Sequence, residues 1–400
     1  MVMSPDQAEY IGSAPRDWRI WTTAWLVTAV FVLSNSVTPL YVHWQREMGF
    51  SNGTLTLIFA AYIAGLLATL LVAGQISDRY GRKPVLFPGL VAAVLACVLF
   101  GTASTVASLL LARLLSGIAV GVIVSAGMAS VVDVGGISRR HTASLAASVA
   151  MVLGAGLGPL LSGILAVSLT RPVVPLFGIQ LLILASAFAV AGSLPRSRTT
   201  ARNSEWRLRM PSVPQANRLH LILGIVIFAP GITSTSFILS LGPSLLKKLM
   251  GVSSPFVAGA MACLMFLSAT SVQFLLKKLS IRSQFLIGTL SVFLAMVCVA
   301  IAVYTSVSTP LVLAAVLAGI GQGLGQLGGL TLIGLHVPEH RRAEANAVLN
   351  IGGYIPAAIL PVSTGYLIDY LGLATGASIF AVMLATASVA AAGFVRVKLR

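Results

Sequence analysis

Twelve apolar runs, each long enough to cross a bilayer core, follow one another along this chain with little between them. They fall near 20–42, 54–76, 85–105, 108–132, 142–168 and 173–194, and again near 219–244, 254–276, 284–306, 309–335, 344–368 and 373–395. A spanning helix needs roughly 20 apolar residues, because lipid offers no water to satisfy backbone N–H and C=O groups. Twelve such segments fill 400 residues and leave no room for a soluble domain. Composition agrees: 57% of residues are hydrophobic and 9% charged, against about 45–50% and about 25% in soluble domains. The expected fold is all-α and integral to the membrane.

A net charge of +16 would by itself suggest a nucleic-acid partner. Its distribution argues for topology instead. With the N-terminus placed inside, 21 Lys and Arg fall on inside loops and termini. Only Arg46, Arg171, Lys247 and Lys248 fall outside, and Arg113 lies within a span. That bias puts both termini in the cytoplasm of a multi-pass protein of the inner membrane, with the lipid bilayer as partner and no nucleic acid. The first span lacks a small-residue cleavage site and reads as retained. Cys97, Cys263 and Cys298 lie inside apolar runs and read as small hydrophobes, not as a disulfide framework or metal site.

The two sets of six runs repeat. A shift of 202 residues lays Gly117, Ile118, Gly121 and Gly127 on Gly319, Ile320, Gly323 and Gly329. It also lays Arg139 and Arg140 on Arg341 and Arg342, and Pro159 and Gly163 on Pro361 and Gly365. We expect two parallel, pseudo-symmetric six-helix bundles over 1–194 and 218–400, joined by a basic cytoplasmic linker over 195–217.

Between the second and third runs lies the stretch Gly74-Gln75-Ile76-Ser77-Asp78-Arg79-Tyr80-Gly81-Arg82-Lys83. Gly74 and Gly81 suit close backbone approach or a sharp turn, and Asp78 has three cations within reach. The stretch resembles the loop between helices 2 and 3 of the major facilitator superfamily, a Gly-x-x-x-Asp-Arg-x-Gly-Arg-Lys signature. The resemblance implies the twelve-helix major facilitator fold, with a cavity between the bundles and transport by alternating access. It also makes Gly74, Asp78, Arg79, Gly81, Arg82 and Lys83 a conformational switch loop. Asp133, at the end of the fourth span, would meet Arg79 or Arg82 in that relay; the alternative is a solvated helix-end acid.

Arg113 is the sharpest single residue. A cation within a span is costly unless partnered or hydrated, and reads as functional by default. With Gly117 and Gly121 after it, it resembles the family's fourth-helix signature, which implies a role in substrate or proton coupling. The alternative is snorkelling to the outer surface. In the fifth span, Gly154, Gly158, Pro159 and Gly163 resemble the antiporter signature of the family's proton-coupled exporters, with Ser162 replacing a glycine. Pro and Gly kink a helix and small residues admit a neighbour, so pure packing is the other reading.

The run Gly321-Gln322-Gly323-Leu324-Gly325 lacks a preceding strand and the dinucleotide spacing, so no nucleotide cofactor is expected. In this fold the first, fourth, seventh and tenth helices tend to line the cavity. Substrate-cavity candidates are Asn35, Thr38, Tyr62, Phe237, Gln322, Gln326, Asn350 and Tyr354. No acid sits at the middle of a span. This weakens proton antiport, disfavours cationic drugs and fits a neutral or anionic substrate meeting Arg113. No buried nucleophile, acid pair or metal cluster suggests an enzyme. The resemblance favours a monomeric, proton-coupled exporter of drugs or small metabolites, similar to the multidrug-efflux branch. The alternatives are an importer or facilitator of a sugar or small organic anion, and a non-transporting receptor.

Overall fold

A computed structural model describes residues 17–136, 138–194, 217–252, 254–338 and 341–399, with Asp78 and Ala343 described by their backbones alone. The expected linker, 195–217, lies outside these residues except for Asn217. Twelve helices long and apolar enough to cross a membrane make up the described chain. The first six are α1 (Asp17–Met48), α2 (Asn52–Tyr80), α3 (Lys83–Gly101), α4 (Val106–Gly135), α5 (Arg140–Ser168) and α6 (Val173–Ser193). The last six are α7 (Arg218–Lys248), α8 (Pro255–Leu275), α9 (Ile281–Thr305), α10 (Ser308–His336), α11 (Arg342–Leu371) and α12 (Leu373–Lys398). An even number of crossings leaves the two ends of the described chain on one face. We call it the terminal face and the opposite one the distal face.

Several ends differ from the sequence reading. Helix α1 runs past 42 to Met48, through a 3₁₀ turn at Thr38–Leu40. The polar run His43–Glu47 looked like loop, but Tyr41 and Trp44 on the same turns are fully buried and hold it helical. Gly49, with φ of 68°, ends it. The stretch from Gly74 is likewise not a loop. Helix α2 continues through Tyr80 and stops at Gly81, whose φ of 89° an L side chain rarely adopts. Inside α4, Ile123–Gly127 forms a π turn, a distortion common where helices bend around functional sites.

The repeat seen in the glycines is a repeat of packing. A Cβ on Gly117 would overlap the carbonyl oxygen of Tyr62, so α4 sits backbone-to-backbone on α2. A Cβ on Gly319 would overlap the carbonyl of Met265, so α10 sits on α8 in the same way. Gly121 against Thr69 and Gly323 against the carbonyl of Ala269 extend the two seams by one turn. Without a hydrophobic force between helices in lipid, such close approach is what drives association.

The two bundles meet along α5–α8 and α2–α11. Gly259 faces the carbonyl of Pro159, and Gly163 faces Pro255 and Phe256. On the other seam Gly365 faces Thr56 and Gly53 faces the ring of Tyr366. Both sets of contacts lie at the distal ends of their helices, so the bundles are closed against each other there.

These seams separate two kinds of glycine. Gly319→Ala forces a methyl into a backbone carbonyl and should lower stability by at least ~1–3 kcal/mol, the cost of overpacking. A methyl at Gly74 would meet no atom within 4 Å, so Gly74→Ala should be neutral or stabilising, since Ala exceeds Gly in helices by about 1 kcal/mol. Thermal midpoints of the detergent-solubilised variants check both; equal midpoints would remove the seam argument.

Candidate functional site

The bundles enclose a cavity of about 170 Å³. Its wall takes Asn35 and Thr38 from α1, Tyr62 from α2, Arg113 from α4, Gln322 and Gln326 from α10, and Asn350 and Tyr354 from α11. Seven of the eight cavity candidates therefore share one space with Arg113. Phe237 is the correction. It is fully buried and stacks on Phe380 of α12, with ring centroids 4.1 Å apart and planes 11° off parallel. Its neighbour Ser236 takes the cavity position, with Thr235.

Arg113 is only 2% exposed and does not snorkel. Its Nε donates to the Tyr41 hydroxyl at 2.6 Å and its Nη1 to the Ser34 carbonyl at 2.8 Å. Four rings surround the guanidinium carbon: Tyr41 at 5.1 Å, Phe59 and Tyr62 at 5.7 Å, and Phe100 at 6.0 Å. Among the described residues no carboxylate lies within ion-pair distance of it, and none lines the cavity.

Amides also line the cavity, four of the five from the second bundle. Gln273 of α8 donates to Gln326 at a long 3.5 Å. The Oε1 of Gln322 is buried with no hydrogen-bond partner, an arrangement normally relieved by a ligand or water. Asn35 and Asn350 each donate to a carbonyl one turn back, of Phe31 and Asn346. Apolar lining comes from Phe31, Phe59, Ile232 and Phe266. Gln273, Ser34 and Phe59 escaped the sequence reading. Helices α2, α5, α8 and α11 also contribute lining, so attention to the first, fourth, seventh and tenth helices was too narrow.

The antiporter-like glycines of α5 act as spacers. Gly154 and Gly158 bring α5 onto Thr28, Phe31 and Val32 of α1, while Pro159 and Gly163 meet α8 on the other side. They hold a cavity-lining helix in place and do not themselves line the cavity.

On the terminal face Arg82 joins the bundle's polar end. Its Nε donates to Asp133 at 3.0 Å and its Nη1 to the Ser77 hydroxyl at 3.0 Å. Lys83 donates to the carbonyl of Gly192 on α6 at 2.7 Å. Arg79 lies over the ring of its neighbour Tyr80. The Asp78 side chain lies outside the described residues. Gly74 makes no close approach, contrary to the expectation from sequence.

The distal face holds Asp369, an acid that the sequence offers only as one of several titratable candidates near span ends, with no partner. Asp369 of α11 accepts from Asn52 N at 2.9 Å, Gly53 N at 2.7 Å and Asn52 Nδ2 at 3.0 Å. These are orphan N–H groups at the start of α2, and a carboxylate there also meets the positive end of the helix dipole. Because α2 and α11 belong to different bundles, Asp369 ties the bundles together. The sequence signal was an acid one turn before a helix-ending Gly, with Ser51-Asn52 at another helix start; nothing in it paired the two.

The family model of the Major Facilitator Superfamily matches residues 24–313 and 287–399. Local similarity is found to "Multidrug resistance protein MdtL" of Escherichia coli O45:K1, 39% identical over 75 residues. The same protein of Klebsiella pneumoniae is 37% identical over 76 residues. Each match covers 19% of this chain and spans 19% of the relative's length. Among solved structures a point mutant of the nucleoside transporter NupG superposes with a TM-score of 0.73 at 12% identity, covering 96% of this chain and 100% of that one. A D-xylose–proton symporter gives 0.71 at 15%, covering 94% and 97%. A bacterial homologue of the human lysosomal transporter Spinster, inward-facing and occupied, gives 0.71 at 15%, covering 96% and 97%. At these identities the likeness is one of fold.

Removing the Asp369 tie should loosen the distal closure. In a background with the three cysteines replaced, a Cys introduced for the fully buried Thr56 should react slowly with a bulky polar maleimide. Adding Asp369→Ala should speed that reaction by about tenfold or more, since a charge-assisted bond of roughly 1.5–3 kcal/mol is lost. An unchanged rate would mean that helix packing alone closes this face.

Proposed function

The chain belongs to the Major Facilitator Superfamily and is a multi-pass membrane transporter, and from that premise we propose that it is a proton-coupled exporter of drugs or small metabolites working by alternating access. The terminal face is cytoplasmic in this reading, as the Lys and Arg distribution of the sequence indicates. Residues 1–194 and 218–400 then rock as two units about the cavity, joined by the 195–217 linker, in a monomer. The observation that carries the proposal is the cavity itself: lined from both bundles, with the bundles sealed at the distal ends. A seal on one side of a central site is what an inward-facing state requires.

Direction rests on two further points. The α5 glycines pack α5 on α1 within the first bundle and on α8 across the seam, the latter being the contact that must give way if the seam is to open. The local similarity to MdtL adds a multidrug-resistance relative. The Arg82–Asp133 pair supplies a polar contact on the cytoplasmic face within the first bundle, and with Gly74, Asp78, Arg79, Gly81 and Lys83 it is the proposed switch. Arg113 is the proposed coupling residue, and Asn35, Thr38, Tyr62, Gln322, Gln326, Asn350 and Tyr354 are the proposed cargo contacts. Import or facilitated diffusion of a sugar or organic anion is the second reading. The cavity's lack of a described carboxylate favours it, because such a group is the usual proton carrier.

Everted vesicles energised to acid inside separate the two. A drug or metabolite that dissipates the gradient with the wild type, and fails to with Arg113→Ala, supports proton-coupled export through this cavity. Counterflow of a sugar or organic anion without any proton movement would replace export by facilitation. Asp133→Asn should slow turnover severalfold while leaving substrate affinity within about twofold, since an exposed ion pair of ~0–1 kcal/mol touches no cargo.

A further inference from the structure

We propose that the cavity takes an organic monoanion, an amphipathic molecule whose single carboxylate or equally acidic group pairs with Arg113 while its body lies among the aromatic side chains. The inference rests on the reading of this cavity as the transport site and names the class of its cargo.

Charge carries the argument. A guanidinium side chain carries a fixed positive charge in proteins. Arg113 lines the cavity at 2% exposure, and the described cavity wall holds no second cation and no acid. A guanidinium offers five N–H donors, and the two hydrogen bonds of Arg113, to the Tyr41 hydroxyl and the Ser34 carbonyl, go to neutral oxygens through Nε and Nη1. The four rings at 5.1–6.0 Å favour a cation, but they supply no countercharge. An acid from the terminal end of α2 does not supply it either. Sixteen helical residues separate Tyr62, beside Arg113, from position 78, which is about 24 Å at 1.5 Å per residue. The cavity therefore carries one uncompensated positive charge, and a cargo bearing one negative charge neutralises it.

The rest of the wall sets the body of that anion. Phe31, Phe59 and Phe266 face the same space as Arg113, and aromatic surface favours an apolar, flat body more than a sugar. The unpartnered Oε1 of Gln322, contributed by the second bundle, is free to accept a hydrogen bond, so a donor elsewhere on the molecule suits it. An inorganic anion would satisfy the charge and leave the rings and Gln322 without contacts. A cation would add a second positive charge beside Arg113, in a space without a carboxylate.

The test uses the full chain in nanodiscs and one ring system in three charge states: indole-3-acetate, indole-3-acetamide and tryptamine. Each carries an indole N–H donor. Equilibrium binding should rank the acetate first by at least roughly thirtyfold over the amide, the loss that follows when one member of a buried charge pair is removed. Arg113→Gln should erase the preference, and Arg113→Lys should keep its order at reduced strength. Gln322→Leu should weaken the acetate severalfold without changing the order. Thermal midpoints of each variant confirm that the protein compared is folded.

Equal or tighter binding of the amide or the amine overturns the proposal, as does a preference that survives Arg113→Gln or an acetate that fails to bind saturably at millimolar concentration. Tight binding by chloride or sulfate that displaces the acetate fully, with the same affinity before and after Phe59→Ala, also overturns it, because the rings would then play no part. The measurement is independent of direction and coupling. If the acetate binds and releases no protons in vesicles, the anion class stands and proton antiport falls. If the amine binds and dissipates the gradient, export stands and the anion class falls.

Discussion

A glycine Cα pressed on a neighbouring carbonyl is the contact from which the rest of the interior follows. Gly117 seats α4 on α2 at Tyr62. Arg113 lies one turn earlier on the same face of α4, since residues four apart stack on a helix surface. The same seam that closes two backbones therefore delivers the guanidinium to the rings of Phe59 and Tyr62, which belong to α2. A larger residue at position 117 would lift α4 away and carry the cation out of its ring cage. Packing and charge placement are one constraint here.

Holding a cation at that depth asks for oxygen acceptors, and α1 provides them where its own geometry changes. The helix shifts to a 3₁₀ turn at Thr38–Leu40 around Pro39. Just before it, the Ser34 carbonyl accepts from Arg113, and just after it Tyr41 turns its hydroxyl to the same guanidinium. Trp44 of α1 stacks with Phe100 and Phe177, with centroids 5.5–6.3 Å apart, and so anchors the distal end of α1 on α3 and α6. The Gly158 contact with the Val32 carbonyl holds the same helix from the α5 side. Arg113 is thus positioned by three helices, and none of its contacts neutralises it.

Much of this was legible in the sequence and some was not, for physical reasons. The twelve spans were readable because lipid imposes length and apolarity on each. The repeat was readable because close crossings demand glycine at fixed spacing, so Gly117 and Gly319 carry the same seam. Arg113 stood out because a charge in such a run is rare, whereas a contact for Asp133 was implied only by the family resemblance, which left Arg79 and Arg82 both open. Helix facing was not readable. A helix bordered by protein on one side and lipid on the other is apolar all round, so its periodicity does not reveal which face is inward. That is why Phe237 was assigned to the cavity when it packs on Phe380, and why Gln273 was missed. The length of α1 was hidden by its polar last turns, and the π turn of α4 has no sequence pattern of its own. Asp369 pairs with residues 316 and 317 positions away, a contact only the fold can make.

The departures from the twofold repeat fall where the chain handles charge. Position 315, the counterpart of Arg113, is a buried Ala, so the cavity receives its cation from one bundle and its amides largely from the other. The distal seams differ in the same way. Helix α2 begins with Asn52 and Gly53, whose N–H groups have no partner within their own helix, and Asp369 supplies one from the opposite bundle. Helix α8, its counterpart, begins with Pro255, which has no N–H to satisfy, and the residue 202 positions before Asp369 is the apolar Val167. One seam is thus closed by small residues alone and the other by small residues plus a carboxylate. A symmetric pair of carboxylates would put two charge-assisted ties across the closed face and raise the cost of every opening. With a single tie, the α5–α8 side of the closed face is held by close backbone packing alone.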